Sequence, residues 1–412
     1  MAYTYEPDEL AAAYRPLMFR RTVTSTASVE RLEVRFYTFG SLYATFRTDY
    51  YDNTGGTYSF DIDVQAGAQR YLKPRTTAIT SFLTDPVSTV FSWDQNTDAY
   101  VEYSIQSDVL YRDTDGLLVT SAGSTLTSND RYAIAATRPV YQVGMTDYYF
   151  QSTASQFKFL TDGPLTQSVA EDETFALSFI GKSIDATRLR FYNSAGALQS
   201  THIVDITSIN PTIPGIVTLY TGPANILGGG SPTFLLGTSA FPTDLSAYAY
   251  YTVDVGDEDG ATYTAYSESM RLNLVGRCAG SRRFYWFNSL GGADQYTFTG
   301  RVVKRTKTGG DLLDMSLVWT PSNDPQIGKD DRGLVKTGIT SDVYLEITEV
   351  VDPDTAALLH SMCRSPEVYM ELNGDRVAVL VDGIAQDLDD TARPYVEFKL
   401  SVLIERQQTQ AI

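Results

Sequence analysis

With 412 residues the chain is longer than one ordinary hydrophobic core supports, so two to four domains are expected. Its 28 tyrosines, with abundant serine and threonine in a chain that is 43% hydrophobic, make a β-sheet composition unlike that of a helix-rich enzyme. A formal charge of -18 excludes a chain-wide surface for nucleic acid or anionic lipid, and two widely separated cysteines, Cys278 and Cys363, exclude a disulfide scaffold.

Met1 to Arg21 holds Pro7 and Pro16 around one short apolar piece, Leu10 to Tyr14, and is read as an extended leader lying on its own domain or on a neighbour. It lacks the cationic and apolar pattern of a signal peptide, and no apolar run approaches the roughly 18 residues of a membrane span. Synthesis in a cytoplasm without membrane contact is therefore expected. Arg31 to Phe39 alternates Leu32, Val34 and Phe36 with polar residues, and Gly40-Ser41 turns it into Leu42 to Thr48 as a hairpin. Tyr58 to Val64 is a strand that runs into a short helix, Gln65 to Leu72, stopped by Pro74. Strands then recur from Thr76 to about Thr137. Tyr100 to Ile105 and Val109 to Tyr111 flank a short link, Asp113-Thr-Asp-Gly is a turn, and Arg131 to Ala136 closes the series. Together these make an N-terminal β domain over residues 1–160.

Thr161-Asp-Gly-Pro reads as a domain joint. After it come short apolar runs at Thr174 to Ile180, Leu189 to Tyr192, Ile203 to Ile206, Ile216 to Tyr220, Tyr248 to Val255 and Tyr263 to Leu274. So many short strands separated by turns describe an immunoglobulin- or fibronectin-like sandwich over residues 161–275. The remainder, 276–412, reads as a β domain with one covering helix. Its helix is Asp354 to Cys363, capped by an Asp or Thr and closed before Pro366. Pro321 to Gly333 is a polar loop, and Asn373-Gly374 has the pattern of a type I′ hairpin turn. The fold class is thus mainly β and multidomain.

The stretch around which the chain is organised is Arg282 to Gly300, RRFYWFNSLGGADQYTFTG. Phe284 and Trp286 precede Asn288-Ser-Leu-Gly-Gly-Ala and Tyr296 and Phe298 follow it. Alternate aromatic positions on two strands predict a hairpin with one aromatic face, whose members are core or interface anchors. Gly291 and Gly292 are expected to supply positive φ in the turn. Around this hairpin Arg277, Arg282, Arg283, Arg301, Lys304, Arg305 and Lys307 form a local basic exception in an acidic chain. They suit contact with phosphate or an acidic neighbouring subunit, or they are outward-facing strand residues.

No reaction centre emerges. His202 and His360, the only histidines, lack cysteine or carboxylate partners at zinc-ligand spacing, and His360 three residues before Cys363 fits a half-buried helix face. Asp257-Glu-Asp-Gly lacks the bidentate glutamate of an EF-hand loop and reads as a solvated turn or a calcium ligand set. The glycines from Gly228 lack the Lys and Ser or Thr of a phosphate-binding loop. No cofactor and no catalytic residue is expected.

Several blocks in order carry a resemblance: Tyr14-Arg-Pro-Leu, Tyr58-Ser-Phe-Asp-Ile-Asp before the short helix, and Phe159-Leu-Thr-Asp-Gly-Pro before the sandwich. They are followed by Phe284 through Gly300 and by Leu358-Leu-His-Ser-Met-Cys-Arg-Ser-Pro-Glu-Val-Tyr before a hairpin. The pattern resembles a family of virion structural proteins from tailed bacteriophages and prophages of Bacteroidetes-type hosts, with Trp286-Phe-Asn-Ser-Leu-Gly-Gly its specific motif. The resemblance implies a tail, tail-tip, neck or baseplate component that forms a ring or tube with copies of itself beside other virion proteins. Nucleic-acid contact would arise only if it lined a DNA channel. A different reading makes the chain a carbohydrate- or receptor-binding module, with Trp286 and exposed tyrosines stacking on sugar rings.

Overall fold

The computed structural model describes the chain apart from residues 1–2, 26–27, 73–90, 138–144, 149–155, 182–183, 207–214, 230–231, 238–239, 261, 315–333, 373–374, 384–394 and 411–412. The described residues are mainly β-strand arranged in several sheets. They divide into two compact units, Met1–Arg277 with Phe287–Gln295, and Cys278–Trp286 with Tyr296–Ile412. The loop at Pro321 to Gly333 and the Asn373-Gly374 turn lie outside the described residues.

In the first unit, one sheet orders its strands as Leu10–Ala12, Arg131–Ile134, Tyr100–Arg112, Val29–Thr38 and Ser41–Asp49. Leu32, Val34 and Phe36 are buried on alternate positions of Val29–Thr38, as the period-2 pattern requires. The smaller sheet Met18–Thr24, Thr57–Asp63, Asp52–Thr54 adds Phe19, Phe60 and Ile62 to the same core. The leader is held here: Leu10–Ala12 pairs in parallel with Arg131–Ile134, and Tyr3 packs edge-on against Phe19. Where the pattern suggests a link at Gln106 to Asp108, the strand Tyr100–Arg112 runs unbroken. Ser107 and Asp108 interrupt the apolar alternation but are satisfied in place. The buried Arg21 guanidinium donates to the Ser107 carbonyl at 2.5 Å and to its hydroxyl at 2.8 Å, and Asp108 accepts from Arg35 and from Thr125.

The second core of this unit is a two-sheet β-sandwich. One sheet runs Thr166–Ala170, Met270–Val275, Tyr250–Glu258, Ala186–Tyr192, Leu198–Asp205 and Phe234–Gly237, its first pair parallel. The other is Ala176–Gly181, Gly215–Tyr220 and Ser92–Asn96. Leu177, Phe179, Val217 and Leu219 from the small sheet meet Leu189, Phe191, Tyr251, Val253 and Leu272 from the large one. Ser92–Asn96 therefore joins the sandwich through Gly215–Tyr220 from far upstream in the chain. Tyr263 to Leu274, one run in the sequence, forms two strands, Tyr263–Ala265 and Met270–Val275. Between them Ser267 turns inward, its Oγ accepting from Val255 N–H at 2.9 Å.

The second unit is built on a seven-stranded sheet, ordered Ala293–Phe298, Arg282–Phe287, Val368–Leu372, Asp375–Gly383, Val396–Gln410, Leu334–Val351 and Arg301–Asp314. Its helix, Pro353–Arg364, starts at Asp352, whose carboxylate accepts from Thr355 N–H at 2.9 Å and Thr355 Oγ1 at 2.7 Å, with Pro353 in the first turn. Ala356, Leu358, Leu359 and Met362 on the helix bury against Leu345, Ile347, Phe398 and Leu400 of the sheet.

Candidate assembly surface around the aromatic hairpin

The motif Phe287 to Gln295, which belongs to the first unit, is explained residue by residue. Asn288 folds the turn over its own side chain: its Oδ1 accepts from Leu290 N–H at 3.0 Å and Gly292 N–H at 2.9 Å. Its Nδ2 donates to the Leu160 carbonyl at 2.8 Å and to Asp294 Oδ2 at 2.9 Å. Leu290 is buried in the first core, and Ser289 O accepts from Thr137 N–H at 2.7 Å. Gly291 has φ +89°, as expected for the turn. Gly292 differs from expectation, since it has no positive φ and is required for close approach: a Cβ there would lie 2.5 Å from the Leu160 carbonyl oxygen.

In the second unit, Phe284, Trp286 and Phe298 have no exposed surface, and Tyr296 packs half-buried beside them. Phe284 and Phe298 meet edge-to-face at 5.3 Å, and Tyr296 meets Phe298 at 5.0 Å. These four are thus core anchors of this unit. Buried as it is, Trp286 offers no face to a sugar ring, whereas Tyr5, Tyr14, Tyr50, Tyr51 and Tyr395, of the other residue type named for the carbohydrate-binding alternative, are exposed. On the other side of the strand, the Arg376 guanidinium lies 3.5 Å from the centre of the Tyr285 ring, and Arg283 donates to the Tyr285 hydroxyl at 3.1 Å and to Thr297 Oγ1 at 2.6 Å.

The basic cluster of the sequence is divided by the fold. Arg277 is in the first unit, bound to Asp172 at 2.5 Å at the rim of a cleft of about 750 Å³ floored by Leu227, Tyr248 and Leu274. Arg283 is buried among its hydrogen bonds. Arg301, Lys304, Arg305 and Lys307 are exposed along the outer strand Arg301–Asp314, where the exposed Arg305 meets the half-buried Glu346 at 2.8 Å. Arg282 and Lys304 come together at a groove of about 570 Å³ whose floor includes Val302, Leu345, Leu372 and Ile404. Among the described residues, no strand pairs with the outer side of Arg301–Asp314, which runs beside this groove. Sequence reasoning named the cations but missed the groove floor. Its residues come from strands far apart in the chain, and only their alternation hinted that they share a face.

Titratable groups near the hairpin serve packing. Burial pushes the Glu349 carboxyl up while it accepts from Thr299 N–H at 3.2 Å and Tyr296 Oη at 3.3 Å. Burial also raises the Cys363 thiol and lowers His360, the reverse of what an activated thiol requires. Among the described residues, no group of three or more His, Cys, Asp or Glu is placed to hold a metal ion, and no helix is long and apolar enough to cross a membrane. No family model matches the chain, and no curated protein is significantly similar to it in sequence.

Proposed function

We propose that this chain is a non-catalytic structural protein of a tailed-bacteriophage or prophage virion, a tail, tail-tip, neck or baseplate component that assembles with copies of itself. The observation that carries the reading is the Trp286 to Gly292 motif, the specific point of resemblance. Each of its prominent residues is committed to a turn, a close backbone approach or a core, as a scaffold motif is and a recognition loop is not. Mainly-β architecture with a long strand that has one unpaired side among the described residues supports the self-assembly part, because edge addition gives main-chain hydrogen bonds without new side-chain machinery. Copies joined head to tail by such edges close into rings or continue as tubes. Contact with nucleic acid enters only if the basic strand faces a DNA channel.

The test is the mass of the purified protein by light scattering across a concentration series, with negative-stain images of the same samples. Rings or tubes are the expected result. A monomer at every concentration would remove the self-assembly reading.

A further inference from the structure

At one end of the large sandwich sheet two carboxyl groups converge on one donor. Glu258 N–H donates to Asp185 Oδ1 at 3.0 Å and to Asp257 Oδ1 at 3.1 Å, and the Asp185 and Asp257 side chains are themselves in hydrogen-bond contact. Two carboxylates offer only acceptors, so a hydrogen bond between them requires one proton. We infer that Asp185 and Asp257 share that proton and form a pH-sensitive clamp, closed while the pair holds it and loosened when both groups ionise. The clamp is independent of the assembly reading.

Three segments of the sheet meet there. Asp185 stands immediately before Ala186–Tyr192, with its N–H donating to the Gly256 carbonyl at 3.2 Å and its carbonyl accepting from Ile206 N–H at 2.7 Å. Asp257 lies near the end of Tyr250–Glu258, and its Oδ2 accepts from Tyr266 Oη at 3.3 Å, just past Tyr263–Ala265. Tyr263–Ala265 pairs with Tyr250–Glu258 at only three positions, Gly256↔Ala265, Asp257↔Thr264 and Glu258↔Tyr263, so the state of the carboxyl pair weighs on a short ladder. The titratable groups facing the pair are Tyr266 and Glu258, and Glu258 adds a third negative charge, its Oε1 buried without a hydrogen-bond partner among the described residues. One proton turns the repulsion between the two aspartates into a hydrogen bond.

Asp185 is the member that keeps the proton. Burial first, then the hydrogen bond with Asp257 and the Asp257 charge, push its carboxyl up to about 6, against the Glu258 N–H, which favours the anion. The folded value lies above that of an unfolded aspartate. The stability the clamp contributes is therefore complete below the ordinary aspartate value and is lost as pH rises through about 6. On ionisation Asp185 releases its proton to water, leaving two carboxylates on the same N–H.

The experiment labels the aspartate carboxyl carbons of the full chain with carbon-13 and follows Asp185 and Asp257 by NMR from pH 3 to pH 8, assigned with Asp185→Asn and Asp257→Asn. Hydrogen exchange of peptides covering Tyr250–Glu258 and Tyr263–Ala265, corrected for the intrinsic pH dependence, is measured on the same proteins at pH 5 and pH 8. Expected are one carboxyl titrating near 6 with its partner well below it, and wild-type protection at least about fivefold lower at pH 8 than at pH 5. Asp185→Asn is expected to be equally protected at both values, because its amide donates to Asp257 with no proton to lose. If that variant does not fold, Asp257→Asn serves, its amide donating to Asp185. Carboxyls that both titrate at the ordinary aspartate value, wild-type protection equal at the two pH values, or an Asn variant whose protection falls with pH as the wild type's does, each overturns the clamp.

Discussion

The side chain of Gln295 pairs with the main chain of Ala176 as a neighbouring strand would. Ala176 N–H donates to Gln295 Oε1 at 3.0 Å, and Gln295 Nε2 donates to the Ala176 carbonyl at 3.2 Å. Both residues are buried, so each group would otherwise lack a partner. A primary amide is suited to this because it carries a donor and an acceptor in one plane. Gln295→Glu keeps the shape but turns a carboxylate oxygen toward the carbonyl. It is expected to lower the unfolding free energy by about 2–4 kcal/mol at pH 8, and to recover part of the loss at pH 5, where a protonated glutamic acid donates again. Urea unfolding at the two pH values measures this. An unchanged midpoint at pH 8 would mean that the pairing contributes nothing.

Two glycines with the same backbone angle separate conformational strain from packing. Gly291 and Gly260 both have φ +89°, but a Cβ on Gly260 meets nothing within 4 Å, whereas one on Gly291 would lie 2.6 Å from the Ala135 carbonyl oxygen and 2.8 Å from Ile216 Cδ1. Gly260→Ala should cost about 1–2 kcal/mol, the strain of a left-handed alanine. Gly291→Ala adds a collision with main chain that cannot swing aside, and a total above roughly 3 kcal/mol is expected. Equal losses in thermal melts of the two variants would refute the packing argument.

The elements most legible in the sequence are those whose pattern is local. The alternation of Leu32, Val34 and Phe36, the positive φ of Gly291 and the aromatic rows of the hairpin all follow from period and spacing, whereas Gly292 is fixed by a close approach to Leu160. What was not legible depends on partners remote in sequence. Ser107 and Asp108 look like a break until Arg21 and Arg35 are seen to satisfy them. Asn288 looks like an ordinary turn residue until its bond to the Leu160 carbonyl is known. Of the candidate cations, sequence proximity grouped seven, but strand pleat and burial decide which are usable. Arg283 is consumed by Tyr285 and Thr297, while Lys304 is exposed and lines the groove. The rule that successive side chains alternate sides could have separated Arg283 from Phe284 in advance, but not assigned the groove floor.

Asp294 is a buried carboxyl whose ionisation opposes folding. Its pKa is pushed up to about 7, by burial first and by the nearby Asp162 carboxylate second, against hydrogen bonds from Thr161 and Asn288 that favour the charge. The folded state thus holds this proton more tightly than the unfolded chain does. The stability it contributes is complete below the ordinary aspartate value and is lost as pH rises through about 7. Asp294→Asn keeps an acceptor for Asn288 Nδ2 and cannot ionise. It is expected to change stability little at pH 5, to raise it by on the order of 1–3 kcal/mol at pH 8, and to flatten the pH dependence between them. Denaturant titrations at both values decide the matter, and an Asn variant no more stable than wild type at pH 8 would reject this account.

Trp286 combines complete burial with an indole N–H that finds no hydrogen-bond partner among the described residues. Its ring contributes packing, and its N–H subtracts a desolvation cost that the fold leaves unrecovered. Trp286→Ala removes the ring and opens a cavity between Phe284, Phe298 and the helix residues of the same core, so a loss of about 3–5 kcal/mol is expected. Trp286→Phe loses less volume and also deletes the orphaned donor, so the two effects partly cancel and a loss of only about 1–2 kcal/mol follows. The comparison of the two variants in guanidinium unfolding is the decisive one. If phenylalanine is as damaging as alanine, the indole N–H is satisfied in solution and the site is more polar than its apolar neighbours imply.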